Sequence, residues 1–207
     1  MMDERLLRTM VREAVIELYP KFGIDEKTFK TFRHLEIVPG DKAQYDPLGC
    51  RFLMPEDTSG WEPSFLDEAV GEEVSHYLHL ELNPIHKTVE SLYEQDNRVI
   101  ACANLVETVG RYGAQIYCAP KGIKMHEVDW LGYLMANPDG GGVSMLYHRD
   151  AYQRASILFE LHGEALLPRV ARMSVVDAQR NLPRLAPMTF YERKILPKVD
   201  KIRRIEA

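Results

Sequence analysis

The sequence predicts a single α+β domain that is mostly helical and carries a small antiparallel sheet near its N-terminus. Apolar residues recur at helical spacing over most of the chain, whereas residues 28–55 form short β-branched and aromatic segments bounded by Gly, Pro and Asp. The 207 residues, 45% hydrophobic and 28% charged, suffice for one domain with a sizeable core. We therefore predict one domain over residues 1–207, in which the basic segment 184–207 is either part of the fold or an extension of it.

The individual elements follow from periodicity and from their stop signals. The first amphipathic stretch should end at Pro20, and Asn83-Pro84 should end a later helix that begins near Pro63. Residues 110–122 fit either a continued helix or a strand. The predicted helices are 3–19, 63–82, 85–109, 126–136 and 144–167.

Composition narrows the class of function. The formal net charge of −5 gives no sign of a nucleic-acid partner. We find no apolar run long enough for a bilayer and no secretory signal, so we expect no membrane partner. The three cysteines lack paired spacing, which favours a reducing, cytoplasmic compartment. The sequence leaves the oligomeric state open.

Charge is unevenly distributed along the chain. Between Pro55 and Asp96 there are eleven acidic residues against a single base, Lys87. Two interpretations remain. The acidic stretch is either a solvated face that attracts the basic C-terminal segment, or it provides a negatively charged environment for a bound cation.

Residues 68–81, EAVGEEVSHYLHLE, place a narrow polar stripe on one helix. At about 100° per residue this stripe holds Glu72, His76, His79 and Asn83. Glu73 lies at the edge of the apolar arc, where poor solvation raises a carboxyl pKa. Ligands at i and i+4 can face one cation, and a glutamate beside the first can take a proton from bound water. Glu72 and His76 could equally form an ordinary ion pair on an exposed helix.

The segment GEEVSHYLH, residues 71–79, resembles the active helix of zincin-like metallopeptidases, which carries a His-Glu-x-x-His motif. The resemblance extends from Ala43 to Leu82 and includes the preceding extended segments. It implies that His76 is a metal ligand, that Glu73 is the catalytic general base, and that Glu72 replaces the first histidine ligand. A divalent metal is expected, with zinc first, while a carboxylate ligand also suits manganese or iron.

The resemblance further implies a third ligand from a following helix, some tens of residues downstream. Glu107 fits this spacing within an apolar stretch, and His79 is the second candidate. His126 and Glu127 are more distant alternatives. Arg111, four residues after Glu107, could instead pair with it in a plain salt bridge.

Two hypotheses follow. The first is an atypical metal-dependent hydrolase acting on a peptide or protein substrate. The second is a zincin-derived protein without catalytic activity, whose acidic stripe serves as a structural or partner-binding surface.

Overall fold

The structure, a computed structural model, describes residues 4–55, 57–58, 60–86, 97–128 and 141–189. Within them the predicted α+β, mostly helical class with a small N-terminal sheet is confirmed. The elements in chain order are α1 (Glu4–Lys21), α2 (Glu26–Phe29), β1 (Glu36–Gly40), β2 (Gln44–Asp46), β3 (Arg51–Pro55), α3 (Pro63–Leu82), α4 (Asn97–Cys118), a 3-10 helix (Ala119–Lys121), α5 (Gly141–His162), α6 (Leu167–Val170) and α7 (Val175–Leu185).

The sheet is mixed, with strand order β1-β3-β2. The predicted antiparallel pairing is present between β2 and β3, whereas β1 and β3 run parallel. The chain reverses direction twice after β1, and β3 then inserts between the two earlier strands. Phe52 on β3 pairs with both Ile37 and Tyr45, and it is fully buried. This arrangement leaves β2 at an edge of the sheet, next to α3.

The predicted helix 63–82 matches α3. Its start has Pro63 in the first turn, where the missing backbone N–H costs little. After its end, the Asn83 side-chain amide donates hydrogen bonds to the carbonyls of His79 and Ala171. The first helix differs slightly from expectation, since α1 continues through Pro20 to Lys21.

Other predicted helices differ in extent. The predicted helix 144–167 corresponds to α5, which ends at His162, and reaches only the first residue of α6. The ambiguous segment after residue 109 is helical, because α4 continues to Cys118. Residues 126–128 are not helical, and residues 87–96, 129–140 and 190–207 lie outside the described residues. Residues 129–136 of the predicted 126–136 helix and most of the basic C-terminal segment fall there. Among the described helices, none combines the length and apolarity needed to span a membrane.

From Val70 to Leu80, helix α3 is buried on nearly all sides rather than on one face. Its predicted apolar arc is in the core, as Val70, Val74 and Leu78 are fully buried. The polar stripe is buried too, with Glu72 and His76 each only 8% exposed. The two residues therefore do not form an ion pair on an exposed helix, and buried polar groups of this kind need partners.

Helices α3 and α4 run antiparallel and approach each other closely at two glycines of α4. A β-carbon on Gly113 would lie 2.1 Å from the Ser75 hydroxyl oxygen, and one on Gly110 would lie 2.4 Å from the His76 ring. A mid-helix glycine costs about 1 kcal/mol relative to alanine. The close contact of the two helices accounts for glycine at these positions.

Candidate metal centre

A cleft of about 550 Å³ lies where β2, α3, α4 and α5 meet. Its walls combine an apolar side, which includes Trp61 and Phe65, with a concentration of ionisable groups. The polar side chains that line it include Glu68, Glu72, Glu73, His76, Glu107, Arg111, His148 and Tyr152. A concave site with converging polar groups is the usual form of a catalytic or binding centre.

Three of the predicted ligands converge in this cleft. Glu72 and His76 lie one turn apart on α3, and Glu107 faces them from α4. One ligand atom from each lies within 4.8 Å of the other two. Within the group, His76 Nε2 lies 3.8 Å from Glu107 Oε2. In the described part of the chain this is the only such group of three.

Gly110 on α4 determines where the His76 ring can lie. A β-carbon at this position would come within 2.9 Å of three ring atoms, including 2.6 Å from Nε2. The His76 ring therefore occupies the space that the side chain of any other residue at position 110 would fill. Because Gly110 lies one turn after Glu107, the same helix supplies a ligand and the space for its neighbour.

Glu73 lines the same cleft as the three predicted ligands. Its Oε2 accepts a 2.6 Å hydrogen bond from the backbone N–H of Tyr45 on β2. Burial raises the pKa of Glu73 to about 8, with the charge of His76 opposing this shift and that of Glu72 adding to it. A carboxyl group that titrates near neutral pH is suited to accept and return a proton.

Glu72 is held by two residues from other helices. The Tyr152 hydroxyl donates a 2.7 Å hydrogen bond to its Oε1, and Arg111 Nη1 lies 3.3 Å from its Oε2. Arg111 also pairs with Glu68 and stacks over the Tyr152 ring at 4.4 Å. Burial would lower the pKa of Arg111, but Glu72 and Glu68 outweigh it and raise the pKa.

Glu107 is oriented by histidines. His148 Nε2 on α5 lies 3.5 Å from Glu107 Oε1, whereas the contact with His76 is made by Oε2. Burial would raise the pKa of Glu107, but the two histidines outweigh it, so the pKa lies below its usual value. Arg111 pairs with Glu68 and Glu72 instead of forming the salt bridge with Glu107 that the sequence offered as an alternative.

The remaining sequence candidates lie elsewhere. His79 is fully buried, and its Nε2 is 3.2 Å from Nδ1 of His86, outside the group of three ligands. Burial lowers the pKa of His79 well below its usual value. His126 contacts Glu68 through Nδ1 at 3.0 Å, and Glu127 is exposed. Of the polar stripe of α3, Glu72 and His76 thus lie in the cleft, whereas His79 lies in the core.

Several residues of the centre were not identified from the sequence. Gly110 and Gly113 lie inside a helical pattern, and glycines at such positions indicate close packing against a neighbouring element. His148 and Tyr152 are four residues apart in the predicted helix 144–167, but this spacing alone says nothing about a partner. Arg111 was considered only as a partner of Glu107.

Comparisons with known proteins gave no match: no family model, no curated protein and no solved structure is significantly similar to this chain. The function is therefore inferred from the geometry of the cleft.

Proposed function

We propose that the protein is a metal-dependent hydrolase, an atypical peptidase of zincin-like design. In it Glu72, His76 and Glu107 hold a divalent cation, and Glu73 is the general base. The observation that carries the proposal is the convergence of three ligand atoms within 4.8 Å, beside a carboxyl group whose pKa is raised to about 8.

The charges of the cleft fit a cation. The carboxylates of Glu68 and Glu72 share the guanidinium of Arg111, whereas Glu107 contacts the imidazoles of His76 and His148. The other cation of the lining, Lys42, is exposed to solvent. Since isolated buried charge is costly, a divalent ion would balance the excess negative charge. Zinc is the expected metal, while a set of two carboxylates and one imidazole also suits manganese or ferrous iron.

A cation in this group would acidify a water molecule and polarise a substrate carbonyl. Glu73 would accept the proton of the attacking water as the water oxygen bonds to the carbonyl carbon, and it would return that proton to the amine as the peptide C–N bond breaks. The backbone N–H of Tyr45 fixes the orientation of the Glu73 carboxyl group. Tyr152 and Arg111 fix Glu72 in the same way. The cleft volume of about 550 Å³ leaves space for a segment of a peptide or protein substrate.

The test is metal content and zinc affinity. Protein dialysed against zinc, manganese or ferrous iron should retain about one ion per chain, as measured by mass spectrometry of the metal. Glu72→His should tighten zinc binding by at least about tenfold, since it restores a neutral nitrogen ligand. Asp67→His is the control, because Asp67 lies on the same helix but pairs with Lys121 outside the cleft. Absence of a stoichiometric ion from every dialysed sample would refute the proposal.

A second candidate is a non-catalytic protein in which these side chains form a structural ion network. It is favoured by the contacts of Glu72, both of whose oxygens already have protein partners, Tyr152 and Arg111. In that case a chelator should leave the melting temperature unchanged, and Glu72→His should not alter zinc affinity.

A further inference from the structure

A second concave site lies between α1, α2, β1 and α3. It is a groove of about 420 Å³ that shares no lining residue with the metal cleft. We refer to it as the basic groove. Its apolar lining residues are Val11, Val15, Ile16, Phe29, Phe32, Leu35, Ile37 and Tyr77.

The apolar walls are fixed by packing. Val11 and Tyr77 are buried beneath the groove, at 2% and 3% exposure. Phe32 packs edge-on against Phe29 and Tyr77, with ring centroids 5.8 and 6.2 Å apart. At the rim, Ile16 is 65% exposed. The groove therefore offers a preformed apolar surface to an occupant, at little cost in ordering its walls.

Every charged group that lines the groove in the described part of the chain is basic, although the protein has a formal net charge of −5. The basic lining residues are Arg8, Arg12, Lys30, Arg33 and His34. Arg33 is held by Glu81 and by the carbonyls of Pro47 and Leu48. Lys30 pairs with Glu26 at 2.7 Å, so the charges of Lys30 and Arg33 already have carboxylate partners.

Two other basic groups are placed at the groove. Arg8 donates a 3.2 Å hydrogen bond to the carbonyl of Ile37, which ties α1 to β1. Arg12 is exposed on the next turn of α1, and no contact with a carboxylate is recorded for it among the described residues. An apolar groove with a basic rim is complementary to an apolar chain that ends in an anion.

We propose that the basic groove binds a free long-chain carboxylate, that is, a fatty acid. The alkyl chain lies on the aromatic and aliphatic walls, and the carboxylate lies at the rim beside Arg12. The groove volume falls within the range of about 300–1,000 Å³ that is usual for small-ligand sites. A stable protein partner would need a contact of roughly 800 Å² on each side. A small anionic amphiphile is therefore the occupant that fits both the size and the charge.

The experiment is a calorimetric titration of the full chain with dodecanoate below its micellar concentration. We expect one molecule of dodecanoate bound per chain. Dodecanol, which lacks the negative charge, and butyrate, which lacks the long alkyl chain, should each bind at least tenfold more weakly. No binding of dodecanoate, or equal binding of dodecanol, would overturn the proposal. Binding to vesicles of anionic phospholipid without binding of monomeric dodecanoate would overturn it as well.

Paired variants on α1 locate the site. Ile16→Asp should weaken dodecanoate binding at least tenfold, whereas Leu6→Asp should not, although Leu6 is also exposed, at 52%. Arg12→Glu should weaken binding at least threefold, whereas Arg5→Glu, outside the lining, should not. Circular dichroism should show that all four variants remain folded. Equal losses in a variant and its control would refute this location.

Discussion

Gly110→Ala tests whether the His76 ring lies where a cation needs it. The new β-carbon would meet ring atoms of His76 at 2.4, 2.6 and 2.9 Å, all shorter than any ordinary contact. The ring is the end of a side chain and can rotate away, so the fold should survive. The gain of about 1 kcal/mol in helix propensity opposes an overpacking cost of about 1–3 kcal/mol. We therefore expect a small net change in the free energy of unfolding.

Metal affinity should respond much more strongly. Displacing His76 removes one of three ligands, whereas loss of a group that merely orients a ligand costs about 10–100-fold in affinity. We expect Gly110→Ala to weaken zinc binding by at least about 100-fold, as measured by competition with a chromophoric chelator.

Gly113→Ala is the matched control on the same helix. Its β-carbon would meet Ser75 at 2.1 Å from Oγ and 2.7 Å from Cβ, and the Cβ cannot move by side-chain rotation. This variant should lose more stability than Gly110→Ala, since α3 and α4 must separate, yet it should keep more zinc affinity. If Gly110→Ala bound zinc as tightly as the parent protein, His76 would not be a ligand in the position described.

Three further measurements follow from the site. In protein held at a free metal concentration of 100 times the dissociation constant, removal of the metal by a chelator should lower the free energy of unfolding by about 2.7 kcal/mol and the melting temperature by roughly 5–10 °C. An unchanged melting temperature would favour the structural network. Tyr152→Phe should weaken metal binding about tenfold, because the 2.7 Å hydrogen bond to Glu72 is lost while the ring remains over Arg111, and parent-like affinity in the competition assay would remove this role from Tyr152. Glu73→Gln should abolish peptide hydrolysis with metal retained, so a hydrolysing variant would contradict the assignment of the base. Without metal, burial raises the pKa of Glu73 to about 8, so the folded state holds a proton that the unfolded state releases above about 4.5. Stability of the metal-free parent should therefore fall between these pH values, and Glu73→Gln should melt at least roughly 3 °C higher at pH 8.5, whereas identical pH profiles by calorimetry would refute the shift.

The sequence predicted the parts of the site that depend on one helix. The bounds of α3, its apolar arc and the neighbouring positions of Glu72 and His76 follow from a period of 3.6 residues, which the structure preserves. The resemblance to zincins implies Glu107 as the third ligand, and in the structure Glu107 lies beside the other two predicted ligands. Whether the group binds a cation stays a prediction.

The sequence could not predict the parts that depend on how helices cross. His79 shares the stripe of His76, but it lies in the core beside His86, because burial of α3 on nearly all sides gives each turn different neighbours. Arg111 was considered as a local partner of Glu107, yet it extends to Glu68 and Glu72 on another helix. The parallel pairing of β1 with β3 was missed for the same reason, since strand order is not encoded in local pattern.

The hydrogen bond from the main chain of Tyr45 to Glu73 has a consequence for how this site can vary. A backbone donor is supplied by every residue type except proline, so the amino acid at position 45 can change without removing it. The support of Glu73, the proposed general base, thus depends on the path of the β2 strand rather than on a side chain. Tyr45→Pro is the one substitution that deletes the donor, whereas Tyr45→Phe keeps it. The hydrogen bond itself therefore sets no requirement on the side chain at position 45, which is constrained instead by its burial against Tyr77 and Cys50.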